Sequence, residues 1–347
     1  MGWETLRGHR PQIEMFRRSL ASGRLSHAYL LSGPEGIGKR RFALTLTQAL
    51  LCRVPREDAV APCGACVDCR QVLSGGHPDL FVLERAADRD AILIEQMVGT
   101  REERGRAGLC YHIHLAPARA DRKVAIIDDA HKMNVEAANA FLKTLEEPPP
   151  DAVLFLISSQ PESLLPTIRS RCQHVRFAPL AAADVAALCT ELQWVASPQD
   201  AAEIAELAEG SMQMARQLCR PELRRLREEL FEALSRPDWR PLQLANRVVE
   251  TLEELAGSNA EQRVFAVWVL RFCGQFFRLR IRAALEAAGG ADGAAPSGVT
   301  MQGLERMGRA VERIAESEEH LALFTPIRLC FESLFGDLAA IRQGRAA

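Results

Sequence analysis

Short apolar runs alternate with amphipathic runs along the first half of the chain. The runs that predict strands are residues 28–31 (AYLL), 79–83 (DLFVL), 123–128 (KVAIID), 153–157 (VLFLI) and 174–177 (HVRF). Apolar positions spaced for one helical face lie between them, near residues 42–51, near 94–103 and after Asn134. Strands that are apolar throughout are typical of a sheet buried on both faces. The pattern therefore predicts an α/β domain with a parallel, five-stranded sheet.

The second half of the chain has a different pattern. From Pro179 onward, alanine, leucine and charged residues recur at helical spacing. Ser197 followed by Pro198 predicts one helix start, and longer helical patterns follow Pro221. These changes predict three parts: the α/β domain at residues 1–178, a small helical lid domain at 179–220 and an all-α C-terminal domain at 221–347.

The bulk composition limits what the chain can bind by itself. Its 347 residues carry a net charge of -2, so we expect no overall attraction to nucleic acid or to acidic membranes. The first residues hold no apolar core of a secretion signal, and the apolar run at 264–270 is interrupted by Arg271. A membrane span needs about 20 apolar residues. We therefore expect a cytoplasmic protein with no membrane contact.

A phosphate-binding loop follows the first predicted strand. Residues 33–39 (GPEGIGK) match the pattern GxxxxGK, and a helix is predicted directly after them. Glycines let backbone N–H groups curl around phosphate oxygens, and the lysine adds a positive charge. Arg40 departs from the pattern, which has a serine or threonine hydroxyl for Mg²⁺ at this position. The candidate nucleotide-binding residues of this segment are Gly33, Gly36, Gly38, Lys39 and Arg40.

Acidic and hydroxyl residues follow two other predicted strands. Asp128 and Asp129 close the strand at 123–128, and Ser158 follows the strand at 153–157. In phosphate-loop nucleotide hydrolases an acid at this place orients Mg²⁺, and a following glutamate often polarises the attacking water. Asp128 suits the first role, whereas Asp129 is one methylene shorter than that glutamate. Ser158 is a candidate sensor of the γ-phosphate. The other interpretation of the two aspartates is a solvated pair that begins a loop.

Four of the ten cysteines lie in one short window. Cys52 precedes a CxxCxxC segment formed by Cys63, Cys66 and Cys69. Two CxxC steps bring three sulfurs within reach of one ion, and Cys52 can complete a tetrahedral set. Soft thiolates with no open coordination position favour structural zinc. The other interpretations are an iron–sulfur cluster or free thiols, and His77 is a candidate to replace Cys52.

Taken together, these motifs resemble those of a known family. The segments SHAYLLSGPEGIGK, CGACVDC, KVAIIDDAHKMN, NAFLKTLEEPP and LFLISSQPESLLPTIRSRCQ are similar to the clamp-loader branch of the AAA+ ATPases, over about residues 5–220. The resemblance implies an AAA+ domain with a zinc module inserted at about 52–78, a lid, and a C-terminal oligomerisation domain that packs into a pentameric collar. It also implies that Arg171 is an arginine finger directed at ATP on a neighbouring subunit.

Three positions decide which type of subunit the resemblance implies. An ATP-hydrolysing subunit should have a hydroxyl after the loop lysine, Asp-Glu after the third strand and an arginine in the lid. This chain has Arg40, Asp129 and Gln213 at those places, with Arg216 one turn beyond. Because each loss can slow hydrolysis by orders of magnitude, the changes argue against turnover of ATP and Mg²⁺ at this loop.

The implied function is therefore that of a stator-like subunit that helps load the sliding clamp onto primed DNA. Its implied partners are the gamma/tau and delta subunits of bacterial DNA polymerase III in a hetero-pentamer. The clamp and the primer–template DNA are contacted through that assembly. Two other functions stay open: an ATP-hydrolysing gamma-type subunit, and a zinc-stabilised regulator of the same fold with no part in clamp loading.

Overall fold

Two compact units, Met1–Arg216 and Gln217–Ala347, make up the protein. The computed structural model describes residues 3, 6–54, 60–85, 91–236, 238, 240–289 and 301–344. The first unit includes residues 179–216 of the lid that was predicted at 179–220. The three-part division therefore stays a prediction. Among the described helices, none combines the length and the apolar character needed to cross a lipid bilayer.

A parallel, five-stranded sheet lies in the first unit, as predicted. The strands are β1 Ala28–Ser32, β2 Leu80–Leu83, β3 Lys123–Ile127, β4 Ala152–Ser158 and β5 Gln173–Arg176. Their order across the sheet is β2-β3-β4-β1-β5. Because parallel strands all end at the same edge, the segments that follow β1, β3 and β4 come together there.

Helices pack on both faces of this sheet. Tyr29 of β1 points to one face, where its ring centroid lies 4.8 Å from that of Phe16, and Phe42 belongs to the same apolar cluster. The next residue, Leu30, points to the other face and packs in the cluster of Phe141. Successive strand residues thus serve opposite cores, as the pleat requires. The helices of the chain up to residue 218, of which α8 to α10 take no part in these two cores, are α1 Arg10–Ala21, α2 Lys39–Leu51, α3 Val67–Leu73, α4 Ile94–Val98, α5 Gly108–His114, α6 Val135–Glu146, α7 Pro166–Arg169, α8 Ala182–Glu191, α9 Pro198–Leu207 and α10 Met212–Leu218.

Helices are the regular elements of the described residues of the second unit, as predicted for an all-α domain at 221–347. Phe272, Phe331 and Phe335 are fully buried in it. Arg227 and Gln275 form a buried polar pair, in which Arg227 Nε donates a hydrogen bond of 3.0 Å to Gln275 Oε1. The helices are α11 Pro221–Ser235, α12 Pro241–Leu255, α13 Asn259–Gly289, α14 Met301–Ala322 and α15 Ile327–Arg342.

Helix starts were predicted better than helix ends. Asn134 and Ser197 cap α6 and α9 as predicted, with side-chain oxygens that accept backbone hydrogen bonds. The prediction that α4 continues to residue 103 is wrong. Gly99 ends the helix with a φ of 83°, and a Cβ there would lie 2.8 Å from the Glu103 carbonyl oxygen.

Candidate functional site

The loop between β1 and α2 has a backbone conformation that glycine adopts and other residues rarely do. Gly33, Gly36 and Gly38 have φ values of 148°, 77° and 97°. At Gly33 a Cβ would lie 2.3 Å from the Phe177 carbonyl oxygen, and at Gly36 it would lie 2.2 Å from Ser211 Oγ. Other residues would therefore be both strained and obstructed at these two positions. Gly38 directly precedes α2, so the loop leads into the N-terminus of that helix, where anions are stabilised.

Lys39 is folded back onto this loop. The residue is only 6% exposed. Its Nζ donates hydrogen bonds to the carbonyl oxygens of Gly33, at 2.7 Å, and Pro34, at 2.6 Å. Burial lowers the pKa of Lys39, and nearby carboxylates, Glu35 first, act in the opposite direction. A phosphate that binds here would compete with two backbone carbonyls for the ammonium group.

Arg40 stands where the loop pattern has a hydroxyl, and it is ion-paired there. Its Nη2 pairs with Glu84 Oε1, just beyond β2, and its Nε lies 3.5 Å from Asp128 Oδ2, just beyond β3. The two strands are neighbours in the sheet. The guanidinium therefore bridges acids that follow two adjacent strands.

Asp128 and Asp129 lie in the same cleft as the loop. Burial raises the pKa of Asp128, the Asp129 carboxylate adds to the rise, and Arg40 opposes it. Asp129 has a left-handed backbone, with a φ of 48°, and its N–H donates to Asp128 Oδ1 at 3.1 Å. This turn fixes the position of the two carboxylates relative to each other.

Ser158 contacts the start of the loop through its backbone. It is fully buried, and its carbonyl oxygen accepts a hydrogen bond of 3.3 Å from the Gly33 N–H. Its hydroxyl oxygen accepts from the Gln160 N–H at 3.1 Å. The next residue, Ser159, lines the cleft. Ser158 as a γ-phosphate sensor stays a prediction.

The cleft has a volume of about 840 Å³ and includes the start of α10. The Met212 N–H donates a hydrogen bond of 2.9 Å to the Gly36 carbonyl oxygen, so α10 begins directly on the tip of the loop. Gln213 and Arg216 both line the cleft. Gln213 thus lies where the resemblance implies an arginine, and Arg216 reaches the same space one turn later.

Several charged residues of the site were missed by the sequence reasoning. Arg41 and Arg85 line the cleft, and Glu84 pairs with Arg40. Their position in the sequence could have identified two of them, because Glu84 and Arg85 follow β2 as Asp128 follows β3. It becomes informative only once Leu83 is known to pair with Ile127.

Arg171 follows α7 and does not line this cleft. Its Nη2 lies 2.7 Å from Glu146 Oε1, at the end of α6, and its Nη1 donates a hydrogen bond of 3.0 Å to the Thr167 carbonyl oxygen. Its side chain is 35% exposed. The guanidinium is therefore held by one carboxylate and one carbonyl, outside the cleft formed by the phosphate loop.

The Sγ atoms of Cys52, Cys63, Cys66 and Cys69 all lie within 4.8 Å of one another. The separations are 3.6 Å for Cys52–Cys63, 3.7 Å for Cys52–Cys66 and 3.8 Å for Cys63–Cys69. A tetrahedral ion with Zn–S bonds of about 2.3 Å places its sulfurs about 3.8 Å apart. The Cys66 N–H donates to Cys63 Sγ at 3.3 Å. This hydrogen bond first, then the Ala65 N–H and the neighbouring thiols, lower the pKa of Cys63 to about 6. The four sulfurs therefore fit a tetrahedral metal.

His77 does not belong to this set. Its Nδ1 accepts a hydrogen bond of 3.0 Å from the Asp79 N–H, and its Nε2 lies 3.5 Å from Asp68 Oδ1. Asp79 in turn accepts backbone hydrogen bonds of 2.6, 2.7 and 2.8 Å from residues 118–120. The suggestion that His77 replaces Cys52 is therefore wrong, and the histidine serves to join the cysteine segment to β2.

Comparison with known proteins gives one family and several relatives. The family described as "DNA polymerase III, delta subunit" matches residues 8–181, which is half of the 347-residue chain. A protein named DNA polymerase III subunit delta' from Pseudomonas aeruginosa is 39% identical over 220 residues. One of the same name from Bacillus subtilis is 37% identical over 181 residues. The DNA polymerase III subunit tau of Escherichia coli is 33% identical over 215 residues.

The similarity to these relatives covers only part of each protein. The three alignments include 61%, 52% and 60% of this chain, in the same order. They span 61%, 51% and 31% of the relatives' own lengths. The chain therefore matches less than two thirds of each relative.

Proposed function

The chain belongs to the DNA polymerase III delta-subunit family, and on this basis we propose that it is the delta-prime-type subunit of a bacterial replicative clamp loader. Its first unit has the AAA+ fold, in which a phosphate loop follows β1 of the parallel sheet. In the proposed function the chain helps to load the sliding clamp onto primed DNA. It supplies an arginine finger to a neighbour and hydrolyses little or no ATP itself.

The observation that carries this proposal is the ion-paired Arg40 in the chain's own nucleotide cleft. Arg40 replaces a hydroxyl ligand of Mg²⁺ and lies 3.5 Å from Asp128, the acid best placed to orient that ion. Asp129 is too short for the usual glutamate, and Gln213 replaces an arginine in the lid. Loss of one ligand and one positioned base each costs orders of magnitude in rate. These changes favour a subunit that does not depend on its own hydrolysis.

Arg171 is the group that we assign to the reaction. It lies outside its own cleft and is partly exposed, so another chain's nucleotide can approach it. An arginine at the γ-phosphate stabilises the negative charge of the transition state. We assign the ATP to an adjacent gamma/tau subunit. Hydrolysis at that interface then requires the assembled complex, because neither chain holds all of the catalytic groups.

The rest of the assembly follows from the same proposal. The partners are gamma/tau and delta subunits in a cytoplasmic hetero-pentamer. The chain contacts the clamp and the primer–template DNA through that assembly. The helical residues 221–347 serve as its collar, and residues 179–220 serve as the lid of the AAA+ domain at 1–178. The lid assignment is supported by the hydrogen bond from Met212 to Gly36.

Zinc is the metal that we propose for the four cysteines. Three of their sulfur separations, of 3.6–3.8 Å, match the edge of a tetrahedral zinc–thiolate site, and all four sulfurs lie within 4.8 Å of one another. Four sulfur ligands leave no open position for a reaction, so the ion is structural. Cys52 directly follows α2 and Cys69 lies in α3, and the bound ion would thus tie the insertion to the helix that follows the phosphate loop.

Arg171→Ala tests the proposed function directly. The variant is reconstituted with gamma/tau, delta, the clamp and primed DNA, and the release of phosphate is followed. We expect the DNA-stimulated rate to lose the part that comes from the ATP site contacted by Arg171. At that site an arginine finger contributes on the order of 10³-fold or more. Assembly should persist, because the side chain is partly exposed and makes one ion pair.

Arg169→Ala is the matched control, since Arg169 is an exposed arginine at the end of the same short helix. It should leave the rate unchanged. An unchanged rate for Arg171→Ala in an intact complex would remove the arginine finger from the proposal. Failure of the chain to join gamma/tau and delta at all would refute the clamp-loader function.

An ATP-hydrolysing gamma-type subunit is the second candidate function. It is favoured by the intact loop from Gly33 to Lys39, by the position of Arg216 in the cleft, and by the 33% identity to a tau subunit. The two candidates differ in the behaviour of the isolated chain. Mg²⁺-dependent turnover of ATP without partners supports the gamma-type function, and its absence supports the delta-prime type.

A further inference from the structure

The Mg²⁺ that normally accompanies a nucleotide at a phosphate loop does not fit the residues of this cleft. That ion takes a hydroxyl after the loop lysine and an acid that follows another strand of the sheet. Here Arg40 replaces the hydroxyl, and its Nε lies 3.5 Å from Asp128 Oδ2. A dication brought to Asp128 would meet the guanidinium, and like charges in contact repel.

Two acids anchor Arg40 in this place. Besides Asp128, it pairs with Glu84, and the two acids follow the neighbouring strands β2 and β3. The contacts use the Nε and Nη2 atoms of Arg40. A guanidinium carries five N–H donors, so donors remain for an anion. Arg40 also lies in the first turn of α2, where the helix end favours negative charge.

The cleft has the charge and the size for a nucleotide. Five basic side chains line it, against three acidic ones. Besides Lys39 and Arg40, the basic ones are Arg41, Arg85 and Arg216. Its volume of about 840 Å³ lies within the range of cofactor pockets and exceeds what a single phosphate fills. The site therefore attracts an extended anion without the help of a metal ion.

We propose that this cleft binds the polyphosphate of a nucleoside di- or triphosphate without a divalent cation, with the Arg40 guanidinium in the place of Mg²⁺. Lys39 exchanges the carbonyl oxygens of Gly33 and Pro34 for phosphate oxygens, while Asp128 and Glu84 continue to hold Arg40. A nucleotide bound in this way is retained rather than hydrolysed, since it lacks the metal that would polarise its γ-phosphate. The inference goes beyond the proposed clamp-loader function, because it concerns the chain's own cleft.

Calorimetric titration of the full chain tests the proposal. ADP and ATP are each titrated in excess EDTA and again in excess Mg²⁺. We expect dissociation constants that agree within about twofold between the two buffers. Inorganic tripolyphosphate should compete with ADP, and adenosine should not, because the basic groups recognise the phosphates.

Arg40→Thr restores the hydroxyl and removes the built-in cation. Its affinity for ADP in EDTA should fall by about tenfold or more, and Mg²⁺ should restore it. Arg18→Thr is the control. It also removes an arginine that is paired with a glutamate, Glu14, but this pair lies on α1 and does not line the cleft. As a second measurement, electron paramagnetic resonance spectra of Mn²⁺ are recorded in the presence of ADP. They should show immobilised Mn²⁺ for Arg40→Thr and not for the unchanged chain.

Three results overturn the proposal. They are binding by the unchanged chain that requires Mg²⁺, no binding in either buffer, and ADP-dependent immobilisation of Mn²⁺ by the unchanged chain. If Arg40→Thr does not fold, the measurements on the unchanged chain decide by themselves. All of these results concern the isolated protein, whereas the clamp-loader function is judged with the reconstituted complex, so either can fail without the other.

Discussion

Glu146→Gln removes the carboxylate that holds Arg171 in the isolated chain. Arg171 Nη2 and Glu146 Oε1 are 2.7 Å apart. Glutamine keeps the size and one acceptor oxygen of glutamate but not its charge. If Arg171 has to leave Glu146 to reach a phosphate on a neighbouring subunit, the variant releases the guanidinium more easily. We therefore expect a higher DNA-stimulated ATPase rate in the reconstituted complex.

The size of this increase follows from the exposure of the ion pair. The two side chains are 35% and 50% exposed, so water screens their attraction. Such pairs contribute about 0.2–1 kcal/mol, which corresponds to a factor of about 1.4–5 between the paired and released arginine. The hydrogen bond from Nη1 to the Thr167 carbonyl oxygen, at 3.0 Å, is unaffected by the change. The rate should thus rise by no more than about fivefold.

Phosphate release by the complex with gamma/tau, delta, clamp and primed DNA measures this effect. Glu147→Gln is the matched control, because it removes the same charge from the adjacent exposed residue and should not change the rate. A lower rate for Glu146→Gln refutes the reasoning, since Glu146 would then orient Arg171 rather than compete with the phosphate. A rise far above about tenfold also refutes it, because an exposed pair is too weak to cause one.

Two further variants test the cysteine cluster and the segment beside it. Cys69→Ser removes one of four sulfurs, so metal analysis should show a loss from about one zinc per chain, while Cys110→Ser outside the cluster keeps the ion. Asp79→Asn weakens three backbone hydrogen bonds and should lower the free energy of unfolding near neutral pH by about 2–4 kcal/mol, whereas the exposed Asp121→Asn changes it little. Burial opposes ionisation of Asp79, but the three N–H donors and Lys123 outweigh it and lower its pKa. The stabilisation is therefore present above the unfolded value of about 3.9 and is lost as pH falls through the lower folded value. Denaturation curves should show the difference between Asp79→Asn and the unchanged chain narrowing in acid, and a constant difference would contradict this account.

Features that depend on neighbours in sequence were predictable from the chain alone. The CxxC steps of Cys63, Cys66 and Cys69 limit how far apart three sulfurs can lie, and the structure brings the four cysteines together. The glycines of the loop require a backbone that few other residues adopt, and Gly33 and Gly36 have the positive φ values that follow. Strand segments that are apolar throughout likewise predict a sheet with a core on each face. The spacing of residues along the sequence specifies local constraints of this kind.

Contacts between distant segments were not predictable in the same way. Arg40 is 44 residues from Glu84, and their pairing depends on β2 lying beside β3. The same is true of Arg171 and Glu146, which meet because α7 packs against α6. Helix ends also escaped prediction, as Gly99 ends α4 through a close approach to Glu103. Spacing in sequence does not specify which strands pair or which helices touch.

The sequence by itself determined the α/β sheet, the phosphate loop and the cysteine set, because each is a pattern of neighbouring residues with one local solution. It also contained Arg40 as a departure from the loop pattern. Only the tertiary structure decided what that departure means, because strand order brings Glu84 and Asp128 to the same guanidinium. Charges act through space, and their partners are set by the fold of the whole unit.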